Sequence, residues 1–288
     1  MRKWDLIREY VTLAKLNIFA WRPFTSGVTK IKREQEVVIS LTSYPARIGS
    51  AYKTIRSLLH QDYLPDRVVL WLAEEQFPNH EGVPQKVLEL QKYGLEIRWY
   101  HDIRSYKKLI PALIAFPDAL IVTVDDDWYY RRDMLRVLIE EHAQHLNEII
   151  CHTITHPTLN EHKRLVSGND GTKDTSSFYN KILGSGGLLY PPMSLDQDIL
   201  NENLFMVEAP TNDDIWFWAM AVKHGTKIRL AKNALGNALM TDAKSQLENS
   251  LGIHNSTQNL YEKVTNRMLE LYPEILHRLL EEKEAAHE

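Results

Sequence analysis

The amino-acid sequence predicts an α/β protein with a mostly parallel central sheet lying between two layers of helices. Three observations carry that reading. Short β-rich apolar runs alternate with segments of helical period. These runs are apolar throughout rather than alternating, as in strands buried on both faces. The fourth run also passes directly into three consecutive carboxylates, where ligands of such sheets bind.

Residues 1–32 form an N-terminal amphipathic helical segment, with Trp4, Ile7, Val11, Ala14 and Ile18 on one stripe and Arg8 and Lys15 beside it. Over residues 1–30 two readings stand: a helix packed on the chain's own domain, or peripheral contact with a membrane surface. Residues 33–260 carry the main domain. A strand at 37–41 is stopped by Pro45, and Ala51, Ile55, Leu58 and Leu59 repeat as a helix. A second strand covers 68–72. Val87, Leu88 and Leu90 mark a helix closed by Gly94. A third strand covers 95–99, a short helix spans 109–116 before Pro117, and the fourth strand covers 120–124. Residues 168–177 read as a loop, and residues 261–288 as a helical extension that is strongly charged from about Tyr272.

Composition bounds the function. Of 288 residues, 44% are hydrophobic and 25% charged, enough for a core that needs no disulfide or structural metal. A net charge of -4 gives no basic bias for nucleic acid. Cys151 has no partner for a disulfide and leans toward a reducing compartment. The longest strongly apolar run, 119–124, is far below the roughly 20 residues of a spanning helix. Asp5, Arg8 and Glu9 break the apolar stretch a signal peptide would need. Neither a G-x-x-x-x-G-K-[ST] loop nor a G-x-S-x-G elbow is present.

The most informative segment is Val122-Thr123-Val124-Asp125-Asp126-Asp127-Trp128. Three adjacent carboxylates repel one another, and a hard divalent cation such as Mn2+ or Mg2+ relieves the conflict. Asp125 and Asp127 are the candidate ligands of an ion that also grips a diphosphate. The alternative is an acidic turn capping a helix over 134–139.

With these residues in view, the chain resembles the nucleotide-sugar-dependent glycosyltransferases of the GT-A fold. The opening Ser40-Leu41-Thr42-Ser43-Tyr44-Pro45-Ala46-Arg47, then Leu58-Leu59-His60-Gln61, is similar to bacterial members that build surface polysaccharides. The resemblance runs from about Val37 to Asn259. It implies a GT-A-type αβα sandwich with a Rossmann-like sheet and a metal-bound nucleoside-diphosphate sugar, a UDP-sugar favoured. It further implies a glycan or lipid-linked acceptor and a cytoplasmic place, peripheral at the inner face of the cell membrane. By resemblance, Thr42, Ser43, Arg47, Lys108, Asp125 and Asp126 bind the donor.

Three later segments match in order. Gly184-Ser185-Gly186-Gly187-Leu188-Leu189-Tyr190 resembles an acceptor-side stretch in which Gly186 and Gly187 admit close approach and Tyr190 stacks on a sugar; a bulge and turn is the plainer reading. Thr211-Asn212-Asp213-Asp214 resembles the motif holding the catalytic base, which assigns Asp214 that role with Asp213 as fallback. Acids at a helix start also serve as ordinary caps. His254 matches a late metal ligand of the family. The resemblance with Asp214 as base implies inversion at the anomeric carbon. Two other classes are a sugar-phosphate nucleotidylyltransferase, which would show a glycine-rich basic loop after the first strand, and a non-catalytic glycan- or nucleotide-binding scaffold. The histidines His142, His145, His152, His156 and His162 read as packed or solvated, since β-branched neighbours and Pro157 oppose a helix there.

Overall fold

A computed structural model describes residues 26–168, 176–234, 239–241, 255 and 259–285. The membrane question over residues 1–30 and His254 therefore fall largely or wholly outside the described residues. Among those residues no helix is long and apolar enough to cross a membrane.

The first half follows the expected alternation: β1 (Val37–Thr42), α1 (Ile48–Leu58), β2 (Arg67–Ala73), α2 (Gln85–Leu88), β3 (Leu95–Tyr100), α3 (Ile110–Ala115) and β4 (Leu120–Thr123). A 3-10 turn over Glu89–Tyr93 continues α2 to Gly94, whose φ of 110° closes it in the left-handed region as the sequence indicated. The second half is more broken. It contains β5 (Trp128–Tyr129), α4 (Met134–His142), β6 (Ile149–Cys151), β7 (Ile154–Thr155), β8 (Thr158–Leu159), β9 (Leu165–Val166), β10 (Ser176–Ser177), β11 (Lys181–Ile182) and β12 (Leu188–Tyr190). Then follow α5 (Glu202–Glu208), α6 (Asp213–His224), β13 (Ile228–Leu230), β14 (Leu239–Met240), α7 (Leu260–Leu271) and α8 (Pro273–Ala285).

Eight strands form one sheet in the order β10-β13-β6-β12-β4-β1-β2-β3. β1, β2, β3 and β4 run parallel, as do β6 and β13. β12 is antiparallel to both β4 and β6, and β10 is antiparallel to β13. The structure is thus a mixed α/β fold on a large, mostly parallel sheet.

Strand alternation divides the core. Val38, Val69, Trp71 and Ile121 face one side with α3, α6, α7 and α8, while Ile39, Leu70 and Val122 face the other with α1 and α4. The C-terminal helices belong to the first layer, since Met268, Ile275 and Leu279 are completely buried in it. Helix α6 is apolar nearly all round, with Trp216, Phe217 and Trp218 sealed inside, so it is a core helix. It holds Asp213 and Asp214 at its first turn, beside the sheet rim.

Candidate active site

β4 delivers the acidic triplet to the carboxyl end of the sheet, where Val124 N–H still bonds Ser40 O at 3.1 Å. From there the three carboxylates diverge. Asp126 is buried and accepts from the Ser43 hydroxyl and from Arg47 Nη1 at 3.1 Å, and its backbone carbonyl accepts from Thr54 Oγ1 at 2.8 Å. Asp127 lies 2.9 Å from the same Arg47 nitrogen. Asp125 is turned the other way and is the more accessible, at 31% side-chain exposure, with Lys108 Nζ at 3.0 Å.

Lys108 is the centre of the site. Its ammonium is buried and lies 3.0 Å from Asp125, 2.9 Å from Asp213 and 3.1 Å from Asp214. Its own backbone is pinned by Ser40 Oγ, which donates to Lys108 O at 2.6 Å. Burial alone would push this lysine toward neutrality, but the three carboxylates outweigh it and hold the ammonium charged well above its ordinary range.

Asp214 Oδ2 also accepts from the Gly184 N–H at 2.8 Å. Burial raises the Asp214 pKa, and the neighbouring Asp213 and Asp125 add to that against the opposing Lys108. Asp127 is raised as well, by burial first and then by Asp125, with Arg47 opposing. A carboxylate lifted in this way is the kind of group that accepts a proton near neutral pH.

The repulsion within the triplet is therefore relieved by Arg47 and Lys108 themselves. Among the described residues no group of three or more acidic, histidine or cysteine side chains is arranged to hold an ion. Asp125 and Asp127 still offer hard carboxylate oxygens, and the charge of Asp125 raises the Asp127 pKa. Oxygens of this kind suit the chemistry of a divalent cation whose shell is completed from outside, as by a diphosphate.

The structure brings Ser43, Arg47, Lys108, the triplet, Asp213 and Asp214 together. It assigns several of them tasks other than those expected. Arg47 and Lys108 are committed to carboxylates rather than standing open to a nucleotide, and Ser43 is bound to Asp126. Thr42 Oγ1 donates to Trp71 O at 2.9 Å. Tyr190 is 1% exposed with its ring edge-on to Phe217, so its ring is a core element without an open face for a sugar. Gly186 and Gly187 serve the entry to β12: a Cβ on Gly186 would lie 2.4 Å from Thr153 Oγ1, and Gly187 has φ +92 beside Met134 Sδ. Asn212 occupies the position before α6, but its side chain does not cap the helix.

The glycine that matters at the site is Gly184. A Cβ there would lie 2.9 Å from both Asp125 Oδ2 and Lys108 Nζ. Sequence reasoning passed over Lys181 and Tyr261, and it named Thr211 and Asn255 within motifs without giving them a place at the site. Lys181 offered a signal, being the one charged side chain between residues 176 and 195. The histidines are packed as expected: His152 Nε2 lies 3.0 Å from Met134 O, and His156 Nδ1 lies 2.8 Å from Asn180 Oδ1.

No family model matches the chain, and no curated protein matches it by sequence. Among solved structures it is similar to mannosyltransferase PcManGT from Pyrobaculum calidifontis in complex with GDP-Man and Mn2+. That similarity is at 15% identity and a TM-score of 0.34, covering 49% of this chain and 42% of that one. It is also similar to S. aureus TarS 1-349, at 14% identity and a TM-score of 0.46, covering 71% of this chain and 59% of that one. The chain thus spans less than two thirds of either structure's length.

Proposed function

We propose that this chain is a glycosyltransferase that moves a sugar from a nucleoside diphosphate, a UDP-sugar favoured, to a hydroxyl of a glycan or lipid-linked acceptor in surface polysaccharide synthesis. One observation carries the proposal. A single buried ammonium, Lys108, holds the strand-end Asp125 and the helix-start Asp213 and Asp214 around one point, from segments far apart in sequence. Two carboxylate sets on either side of one cation suit a reaction with a charged leaving group on one side and a proton to remove on the other.

In this reading Asp214 takes the proton of the acceptor hydroxyl as its oxygen bonds the anomeric carbon. The bond from that carbon to the diphosphate oxygen breaks, and the nucleoside diphosphate leaves with the electron pair. Attack opposite the leaving group inverts the anomeric centre. Asp125 and Asp127 would hold a divalent cation, which supplies positive charge for the departing diphosphate. Arg47 keeps Asp126 and Asp127 in place from the α1 side, and the Gly184 N–H fixes the orientation of Asp214.

The test is calorimetry with UDP, GDP, CMP and dTDP species, with and without Mn2+, on wild type and Asp127→Asn. Manganese-dependent binding of one nucleotide, weakened at least about tenfold in the variant, supports the proposal. Failure of every nucleotide to bind a folded wild-type protein overturns it.

A further inference from the structure

Lys181 stands at the start of β11, paired with Thr155 across the short ribbon to β7. Its Nζ donates to Thr265 Oγ1 at 3.2 Å, and among the described residues it forms no ion pair. The acids whose charge reaches it are Asp214 and Glu262, both beyond ion-pair distance, and no residue of the triplet is among them. Asp214 is already spent on Lys108 and on the Gly184 N–H. Burial consequently pushes the Lys181 pKa down to about 8, because two remote acids and one hydroxyl compensate the charge poorly.

Asn255 and Thr211 join α6's approach through reciprocal hydrogen bonds, Thr211 Oγ1 to Asn255 Oδ1 and Asn255 Nδ2 to Thr211 O, each 2.9 Å. Tyr261, at the first turn of α7, is 38% exposed and feels the charge of Asp214 and Asp213. Lys181, half-buried, thus stands three residues before Gly184, whose N–H holds Asp214, and it feels the charge of Asp214 but of no residue of the triplet.

We propose that Lys181 is an anion-recognition residue on the acceptor side, so that the acceptor carries a carboxylate or phosphate next to the hydroxyl that Asp214 deprotonates. The inference rests on Asp214 being the acceptor base. Two arguments select an anionic acceptor over a neutral one. An anion gives the ammonium the ionic partner it lacks among the described residues, in a sheltered place where charge-assisted bonds are strong. Without Lys181, an anionic group would meet Asp213, Asp214 and Glu262 while Lys108 and Arg47 stay committed to carboxylates.

The experiment is equilibrium binding of matched pairs to the full chain: methyl β-D-glucuronide against methyl β-D-glucoside, and glycerol 1-phosphate against glycerol. Wild type, Lys181→Met and Lys181→Arg are compared, and nucleotide binding is measured on the same samples. The expected result is that at least one anion binds wild type about tenfold or more tighter than its neutral twin. That preference disappears in Lys181→Met and is retained in Lys181→Arg, with nucleotide affinity unchanged. The carboxylate and phosphate arms tell the two sources apart. Equal binding within both pairs, no binding of either anion, or a preference that survives in Lys181→Met overturns the inference. Loss of nucleotide binding in wild type instead counts against the glycosyltransferase reading, so the two failures are distinct.

Discussion

Lys108 Nζ lies 3.0 Å from Asp125 and 3.1 Å from Asp214, so one side chain fixes the spacing between the end of β4 and the start of α6. Removing it leaves three carboxylates without their shared cation. Lys108→Met is expected to cost about 3–5 kcal/mol of stability, the penalty for breaking a buried ion pair from one side. Chemical denaturation measures it, and double variants that also carry Asp213→Asn should recover part of the loss.

The raised Asp214 pKa sets a pH window. Burial, with Asp213 and Asp125 behind it, lifts the group from 3.8 to about 6. A base must be ionised to act, so kcat/KM for transfer should rise with pH through about 6 and level off above it. Stability runs the other way: the folded state holds this proton more tightly, so the contribution is full below 3.8 and is lost as pH rises to about 6. Asp214→Asn should remove that part of the stability slope and lower transfer by about 10²–10⁴-fold with nucleotide binding retained. Urea titrations across pH and initial rates check both.

Gly184→Ala separates the site from the fold. The added methyl meets Asp125 Oδ2 and Lys108 Nζ at 2.9 Å, both at the functional centre, while Gly184 has no positive φ that an alanine would strain. The expected outcome is a loss of transfer of about a hundredfold, from misplacement of charged groups by fractions of an ångström. The melting temperature should change far less than in Gly187→Ala, where φ is +92.

The C-terminal helices are held by Asn266, whose Oδ1 accepts from Leu165 N and whose Nδ2 donates to Leu165 O, both at 2.8 Å. Asn266→Leu leaves buried backbone groups of β9 unpaired, and it should cost about 1–3 kcal/mol in denaturant unfolding.

The first half of the chain was legible because β1 to β4 are joined by local helices and buried on both faces, which leaves continuous apolar runs such as 68–72 in the sequence. The triplet and the Asp213-Asp214 pair were legible for a similar reason, since like charges collect rarely. What sequence could not display was partnership. Nothing in the local pattern says that Lys108 meets carboxylates at 125, 213 and 214, or that Arg47 spans Asp126 and Asp127. Those contacts depend on long-range packing, and they offset the repulsion within the triplet. Tyr190 failed for the opposite reason: an aromatic after glycines looks like a binding surface, but β12 lies in the middle of the sheet and carries its ring into the core.

The antiparallel β12 between β4 and β6 also has a consequence for how the chain is made. During synthesis β1 to β4 emerge first and can pair among themselves, yet β4 keeps one flank of backbone N–H and C=O groups without a neighbour until Leu188–Tyr190 leaves the ribosome. A nascent or truncated chain ending before that point presents a four-residue apolar edge, a template for joining another chain. The strand that completes the rim of the site is thus also the one that protects the unfinished protein from its own copies.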